Sequence, residues 1–266
     1  MKWIRDRIVL ILGLLVLLYT FVPIFVVVLM SFNKLPSEQS KIYKFSSFTL
    51  DNWLHPCADP SMCSALGKSL AIGGLATVVA TILGTLMAFA LVRHRFAGRS
   101  AMNLTIFMPM ASPEIVMGSS LLALFVAGGF AGELGFYTIL IAHIMFCLSF
   151  VVVTVRARLA GMDDTLEQAA MDLYATPAQT FWKVTFPLVF PGILGAALLS
   201  FSLSFDDFII TNLNAGQTTT FPMYVWGVAR KTVPMQINVI GTLMLLVSIT
   251  IVVLGEVNNR RRSQAS

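Results

Sequence analysis

Six separate stretches of this chain, 8–32, 69–92, 102–127, 134–155, 186–213 and 233–255, are each long and apolar enough to cross a bilayer. About 20 residues at about 1.5 Å each span roughly 30 Å of hydrocarbon. Inside lipid a backbone must satisfy its own polar groups, so such stretches fold as helices. The composition agrees: 57% of residues are hydrophobic and 12% charged, with a mean hydropathy of +0.82, whereas soluble domains carry roughly 25% charged residues. A disordered chain would be poorer in apolar residues, and three cysteines are too few for a disulfide scaffold. The expected fold class is an all-α integral membrane protein with six transmembrane helices. The first apolar run follows Lys2, Arg5 and Arg7 but is too long for a signal peptide and lacks a cleavage pattern, so it reads as a retained span.

Basic residues concentrate on the cytoplasmic side of membrane proteins. With the N-terminus inside, twelve basic residues fall on the inner face, against six outside (Lys34, Lys41, Lys44, Lys68, Arg230, Lys231). Both termini are therefore expected in the cytoplasm, and the net charge of +5 is a topology signal that gives no reason to expect nucleic acid. The chain divides into an N-terminal span with an outer loop (1–68), a core of five spans (69–255) and a cytoplasmic tail (256–266). In the outer loop Tyr43, Phe45, Phe48 and Trp53 suit an interfacial aromatic belt. Cys57 and Cys63 share that loop, and a bridge and two free thiols are both open; Cys147 lies alone within a span.

The stretch between spans four and five is the most informative. It holds Thr165-Leu-Glu-Gln168, a capping box, with Asp163 and Asp164 placed where negative charge favours a helix start. Thr176-Pro177-Ala-Gln179 then begins a second helix, so two short helices joined by a turn should lie across the inner surface. The spacing also resembles the coupling loop of ABC-importer permease subunits, Glu-Ala-Ala-x-x-x-Gly, nine residues, Ile-x-Leu-Pro. Gln168 (with Glu167 beside it), Ala169, Ala170, Tyr174, Val184, Phe186 and Pro187 occupy its positions, and Asp172 lies within it. Tyr174 stands where that family has glycine, and a bulky residue at a left-handed φ is strained. Either the turn avoids positive φ here, or the fit against a partner differs.

Further stretches at 108–117, 143–147, 150–154 and 204–208 are similar to spermidine/putrescine permeases of the PotC type. The resemblance implies a type I, binding-protein-dependent ABC importer permease fold in a bacterial plasma (inner) membrane, with cytoplasmic coupling helices within 161–187. It implies one half of a heterodimeric polyamine path, with a second permease subunit, two ATPase subunits holding ATP and Mg at the coupling loop, and an extracytoplasmic polyamine-binding protein. The chain itself is expected to hold no cofactor: Gly67-Lys68-Ser69 matches the end of a phosphate-binding loop, but Met62 stands where glycine is needed. No nucleophile–base pair or metal cluster marks it as an enzyme.

Ionisable groups at membrane depth are costly and serve as default functional candidates. The acids within spans are Glu114, after Pro113 near mid-depth, and Asp206 and Asp207 toward the outer end, with no Lys or Arg at depth. That excess favours a cationic solute or a proton and argues against an anion. Ser200, Ser204, Asp207 and Thr211 fall on one helical stripe facing the path, with Asp206 pointing elsewhere. Tyr224 and Trp226 offer aromatic faces for ammonium groups, although belt anchoring explains them as well. His143 reads as a hydrogen-bonded interior histidine. The rivals are an ABC permease for another cationic or small organic solute, a proton-coupled secondary carrier, and a scaffold without a path.

Overall fold

The computed structural model describes residues 2–34, 45–163, 165–230 and 233–264, so Lys41, Tyr43, Lys44, Asp164 and Lys231 lie outside the described residues. The described residues are nearly all helical, apart from an isolated bridge between Asn33 and Phe48. The chain forms two compact units: 1–63 with 225–266, and 64–224.

In the first unit α1 (Lys2–Ser31) packs on α12 (Gln236–Gln264). The apolar side chains of α1 between Ile8 and Val22 are exposed, as lipid-facing or partner-facing surface must be. The described part of the loop that follows, from residue 45 onward, folds back on the end of α1. Asn52, in the short helix α2 (Asp51–Leu54), donates its side-chain amide to the Ser31 and Asn33 carbonyls at 3.1 and 3.0 Å. Phe48 and Trp53 stack on Phe32 with centroids 5.5 and 5.3 Å apart. These two rings, read from sequence as belt residues, thus also pin the loop. Cys57 and Cys63 form a disulfide.

The second unit is built around α6 (Phe136–Ala160), whose buried face includes Ala142, Phe146, Val151 and Val155. Helix α3 (Pro60–Arg93) approaches it where Gly84 has no side chain: a Cβ there would lie 2.7 Å from Val151 Cγ1. The third expected span is two helices, α4 (Arg99–Ala111) and α5 (Glu114–Ala127), bent by 111°. The cause is local. A residue before proline is driven out of the helical region, and Ser112 is extended with ψ 138°. Five helices are long and apolar enough to cross a membrane, and the bent pair makes a sixth if it counts as one span.

The fifth span begins earlier and ends sooner than expected. Short helix α8 (Pro177–Thr180) is not separate: it runs through a π-helical segment (Phe181–Thr185) into α9 (Phe186–Asp206). The Phe186 N–H bonds five residues back to Phe181. Pro187 lacks an N–H and its ring crowds the preceding turn, and a wider π turn is a common way to relieve such a clash. Helix α9 then stops at Asp206, because Asp207 leaves the helical region (ψ 126°) before α10 (Ile209–Asn214). The remaining helices are α7 (Thr165–Asp172) and α11 (Phe221–Ala229).

Candidate functional site

Two groups of residues carry the chemistry of the second unit: the polar loop around α7 and the acids of α5 and α9. Helix α7 is capped by Asp163, not by Thr165. Asp163 Oδ1 accepts the Thr165 N–H at 2.9 Å, and that bond holds the exposed carboxyl below the usual carboxylate range. Thr165 is the first helical residue. At α8 the expected box forms: Thr176 Oγ1 accepts the Gln179 N–H at 3.3 Å and Gln179 Oε1 accepts the Thr176 N–H at 2.9 Å.

Glu167 points back into the subunit. Its Oε1 accepts from Arg93 Nη2 at 2.7 Å and from Thr185 Oγ1 at 2.7 Å. One carboxylate, 18% exposed, thereby ties α7 to the end of α3 and to the π segment ahead of α9. Beside this tie lies a largely apolar hollow of about 410 Å³, lined by Phe89, Met171, Thr180 and Phe181 among others. The opposite surface of the loop is open: Gln168, Ala169 and Asp172 are exposed, as is Pro187 at the start of α9, whereas Ala170 is half-buried.

The turn after α7 takes the left-handed conformation, with Tyr174 at φ 62°, the only positive φ at a non-glycine among the described residues. The Tyr174 N–H bonds to Met171 O at 2.9 Å and the Ala175 N–H to Ala170 O at 3.1 Å. This pair of bonds is the Schellman motif, which places a left-handed residue, usually glycine, just past the helix end. A side chain there costs about 1–2 kcal/mol. Of the two options left open by the sequence, the chain adopts the strained one.

The three acids separate. Asp207 is 8% exposed and sits in a closed network. Its Oδ2 accepts the Thr211 N–H at 2.8 Å and the Thr211 hydroxyl at 2.8 Å, and lies 3.3 Å from His143 Nε2. The Thr211 hydroxyl donates its hydrogen bond to Asp207, so His143 Nε2, 2.9 Å from Thr211 Oγ1, faces only acceptors and is the ring nitrogen that bears a hydrogen. His143 Nδ1 meets Ser204 Oγ at 2.6 Å. Asn214 extends the network, donating to Gly118 O at 3.2 Å and accepting from Thr138 at its own carbonyl at 2.7 Å. The stripe of Ser200, Ser204, Asp207 and Thr211 therefore turns inward, all four buried. The α9–α10 break is what lets these residues gather round His143. Glu114, the first residue of α5, and Asp206, the last of α9, are exposed and make no ion pair among the described residues. Next to Glu114, at the bend, a hollow of about 270 Å³ is lined by Met108, Ser112, Met117 and Met145 among others. On α11, Tyr224 is buried, and the Trp226 ring lies 5.4 Å from the Arg230 guanidinium, so one of its faces already holds a cation. Neither the partners of Glu167 nor His143 as the partner of Asp207 are marked by spacing: Arg93 lies 74 residues and Thr185 18 residues from Glu167, and His143 sits on another helix than Asp207.

Helices of bilayer length, one broken at a proline, with a polar loop clamped against their ends, define an integral membrane subunit. The chain belongs to the family described as the binding-protein-dependent transport system inner membrane component, which it matches over residues 80–263. Its fold is that of a type I ABC importer permease. It is 35% identical over 247 residues to a spermidine/putrescine transport system permease protein, PotC, of Haemophilus influenzae, covering 92% of this chain and 93% of that one. It is 38% identical over 234 residues to the putrescine transport system permease protein PotI of Escherichia coli K12, covering 85% and 82%. Among solved structures, a bacterial ABC transporter involved in the import of the acidic polysaccharide alginate superposes with a TM-score of 0.62 at 18% identity, covering 96% of this chain and 97% of that one.

Proposed function

We propose that this permease carries polyamines inward as one half of a heterodimeric path. In this reading a second permease subunit completes the path. Two ATPases, holding ATP and Mg, dock on α7, and an extracytoplasmic binding protein delivers the solute. The observation that carries the cationic cargo is the state of Glu114 and Asp206: acids in the apolar stretches, exposed, with no Lys or Arg paired to them among the described residues. Polyamines present several ammonium groups to such carboxylates, and charge within a membrane is retained chiefly where function uses it. The names of the relatives point the same way. Asp207 and Ser204 serve the path indirectly, by holding the α9–α10 break that sets Asp206; Tyr224 and Trp226 flank the outer side.

Both termini lie in the cytoplasm. The basic residues favour that orientation, and a Cys57–Cys63 disulfide suits an oxidising outer compartment. ATP-driven closure of the ATPases pushes on α7. Through Glu167 the push reaches α3 at Arg93 and the α8–α9 helix at Thr185, rocking the spans between outward and inward access.

Uptake of labelled putrescine and spermidine by cells lacking other polyamine importers, supplied with this system, tests the reading. Transport should be blocked by vanadate and should fall sharply in Glu114→Gln and Asp206→Asn. Uptake that ignores vanadate and follows the proton gradient would refute the ATP-driven mechanism. Undiminished uptake in both variants would refute the role of the acids, and competition by an unrelated cation stronger than by polyamines would change the cargo.

A further inference from the structure

The strain at Tyr174 has no return inside this chain. Its side chain is 96% exposed, and its neighbour Leu173 is 82% exposed. Backbone strain of this kind persists where surrounding structure or function holds it. Here the Schellman bonds impose the left-handed turn, but nothing in the fold requires that the residue taking it be aromatic. Large apolar side chains in open water contribute nothing to stability, and an aromatic side chain set at the tip of a turn is the form that interface anchors take.

The charge around it selects the partner. Residues 161–176 contain four acids, Asp163, Asp164, Glu167 and Asp172, and no Lys or Arg. Glu167 is already neutralised by Arg93. Asp163 and Asp172 remain exposed, and Asp172 stands two residues from Tyr174. An anionic lipid surface attracts basic segments and repels acidic ones. This tip therefore suits a protein surface better than a lipid headgroup layer.

We infer that Tyr174 is the anchor by which this permease seats its own ATPase, its ring entering an apolar socket with a basic rim on that subunit. This rests on the reading that α7 meets an ATPase, and it adds the residue and the chemistry that fix which ATPase fits. A turn bearing glycine would present only backbone to such a socket, so an ATPase shaped for glycine should seat this permease poorly, and the reverse.

The test is the affinity of the purified permease pair for the ATPase, measured with Tyr174→Gly, Tyr174→Asn and Tyr174→Phe. Glycine and asparagine both tolerate the left-handed turn, so neither should lower the thermal stability of the permease. Both should weaken ATPase association by tenfold or more, and phenylalanine should retain it within about threefold, in line with the weight of aromatic anchors at interfaces. Relief of strain alone predicts the opposite sign, unchanged or tighter association in Tyr174→Gly, and that result overturns the inference. A defect that appears only in discs containing anionic lipid, and is absent in detergent, also overturns it and transfers the anchor to the membrane. If the wild-type pair binds no ATPase under any condition, the reading of α7 fails instead, which separates the two failures.

Discussion

Replacing Asp207 by asparagine should destabilise the second unit, whatever it does to any cargo. The Asp207 carboxylate accepts two short hydrogen bonds from Thr211 and faces His143 Nε2 at 3.3 Å, with the Ile210 N–H at 3.4 Å on its other oxygen. Asparagine keeps one oxygen. Its amide nitrogen must then confront either the Thr211 N–H or the Ile210 N–H, and neither accepts. Hydrogen bonds to a charged group contribute about 1.5–3 kcal/mol each, and an unsatisfied buried donor costs about as much again. Loss of about two such bonds, with partial relaxation, amounts to about 3 kcal/mol, near the lower end for breaking a buried charged pair. At about 2–4 °C per kcal/mol for a chain of this size, the melting temperature should fall by about 6–12 °C. Thermal unfolding of the purified protein, followed by the reactivity of buried Cys147 toward a thiol probe, reads this directly. Asp206→Asn, at an exposed helix end, should melt within about 2 °C of wild type, because substitutions at such positions stay within about 0.5 kcal/mol. If Asp207→Asn melted like wild type yet abolished uptake, Asp207 would belong to the path and the closed network would not be its role.

Two further outcomes follow from the polar loop and the outer knot. Glu167→Gln should leave polyamine-stimulated ATP hydrolysis measurable but lower uptake per ATP, and a double-mutant cycle with Arg93→Met should give a coupling of about 1–2 kcal/mol in stability; additive effects would show that the 2.7 Å contact transmits nothing. Reduction of the Cys57–Cys63 bridge, which closes a short loop, should lower stability by about 2 kcal/mol, and a maleimide should label both thiols only after reductant; labelling without it would deny the bridge.

What could be read from sequence was what depends on neighbours in sequence. The Thr176–Gln179 box is a three-residue pattern, and it forms as expected. The interruption at Ser112-Pro113 follows from the proline alone, but its 111° angle is set by what packs on each side. The end of α9 at Asp206 carries no local stop signal, since neither proline nor glycine lies between Asp206 and Asn214. There the carboxylate leaves the helix to meet Thr211 and a histidine on another span, and a contact of that range has no periodicity to betray it. The same holds for the inward turn of the Ser200–Thr211 stripe: a polar face at helical spacing looks identical whether it lines a path or a buried network. The second short helix misled for the opposite reason. Its cap was legible, but the π segment that fuses it to α9 arises from Pro187 acting on the preceding turn.

The contact between Arg93 and Glu167 also counts crossings. Two side chains that touch at 2.7 Å lie on the same face of the membrane. A chain that leaves one face and returns to it must cross an even number of times. Between these residues lie α6, long and apolar enough to cross once, and the bent pair α4–α5. If α6 crosses, the pair makes the other crossing: despite its bend it is then a traverse and not a loop that dips in and withdraws. A single hydrogen-bonded ion pair thus decides a question of parity that the length of neither half-helix could answer.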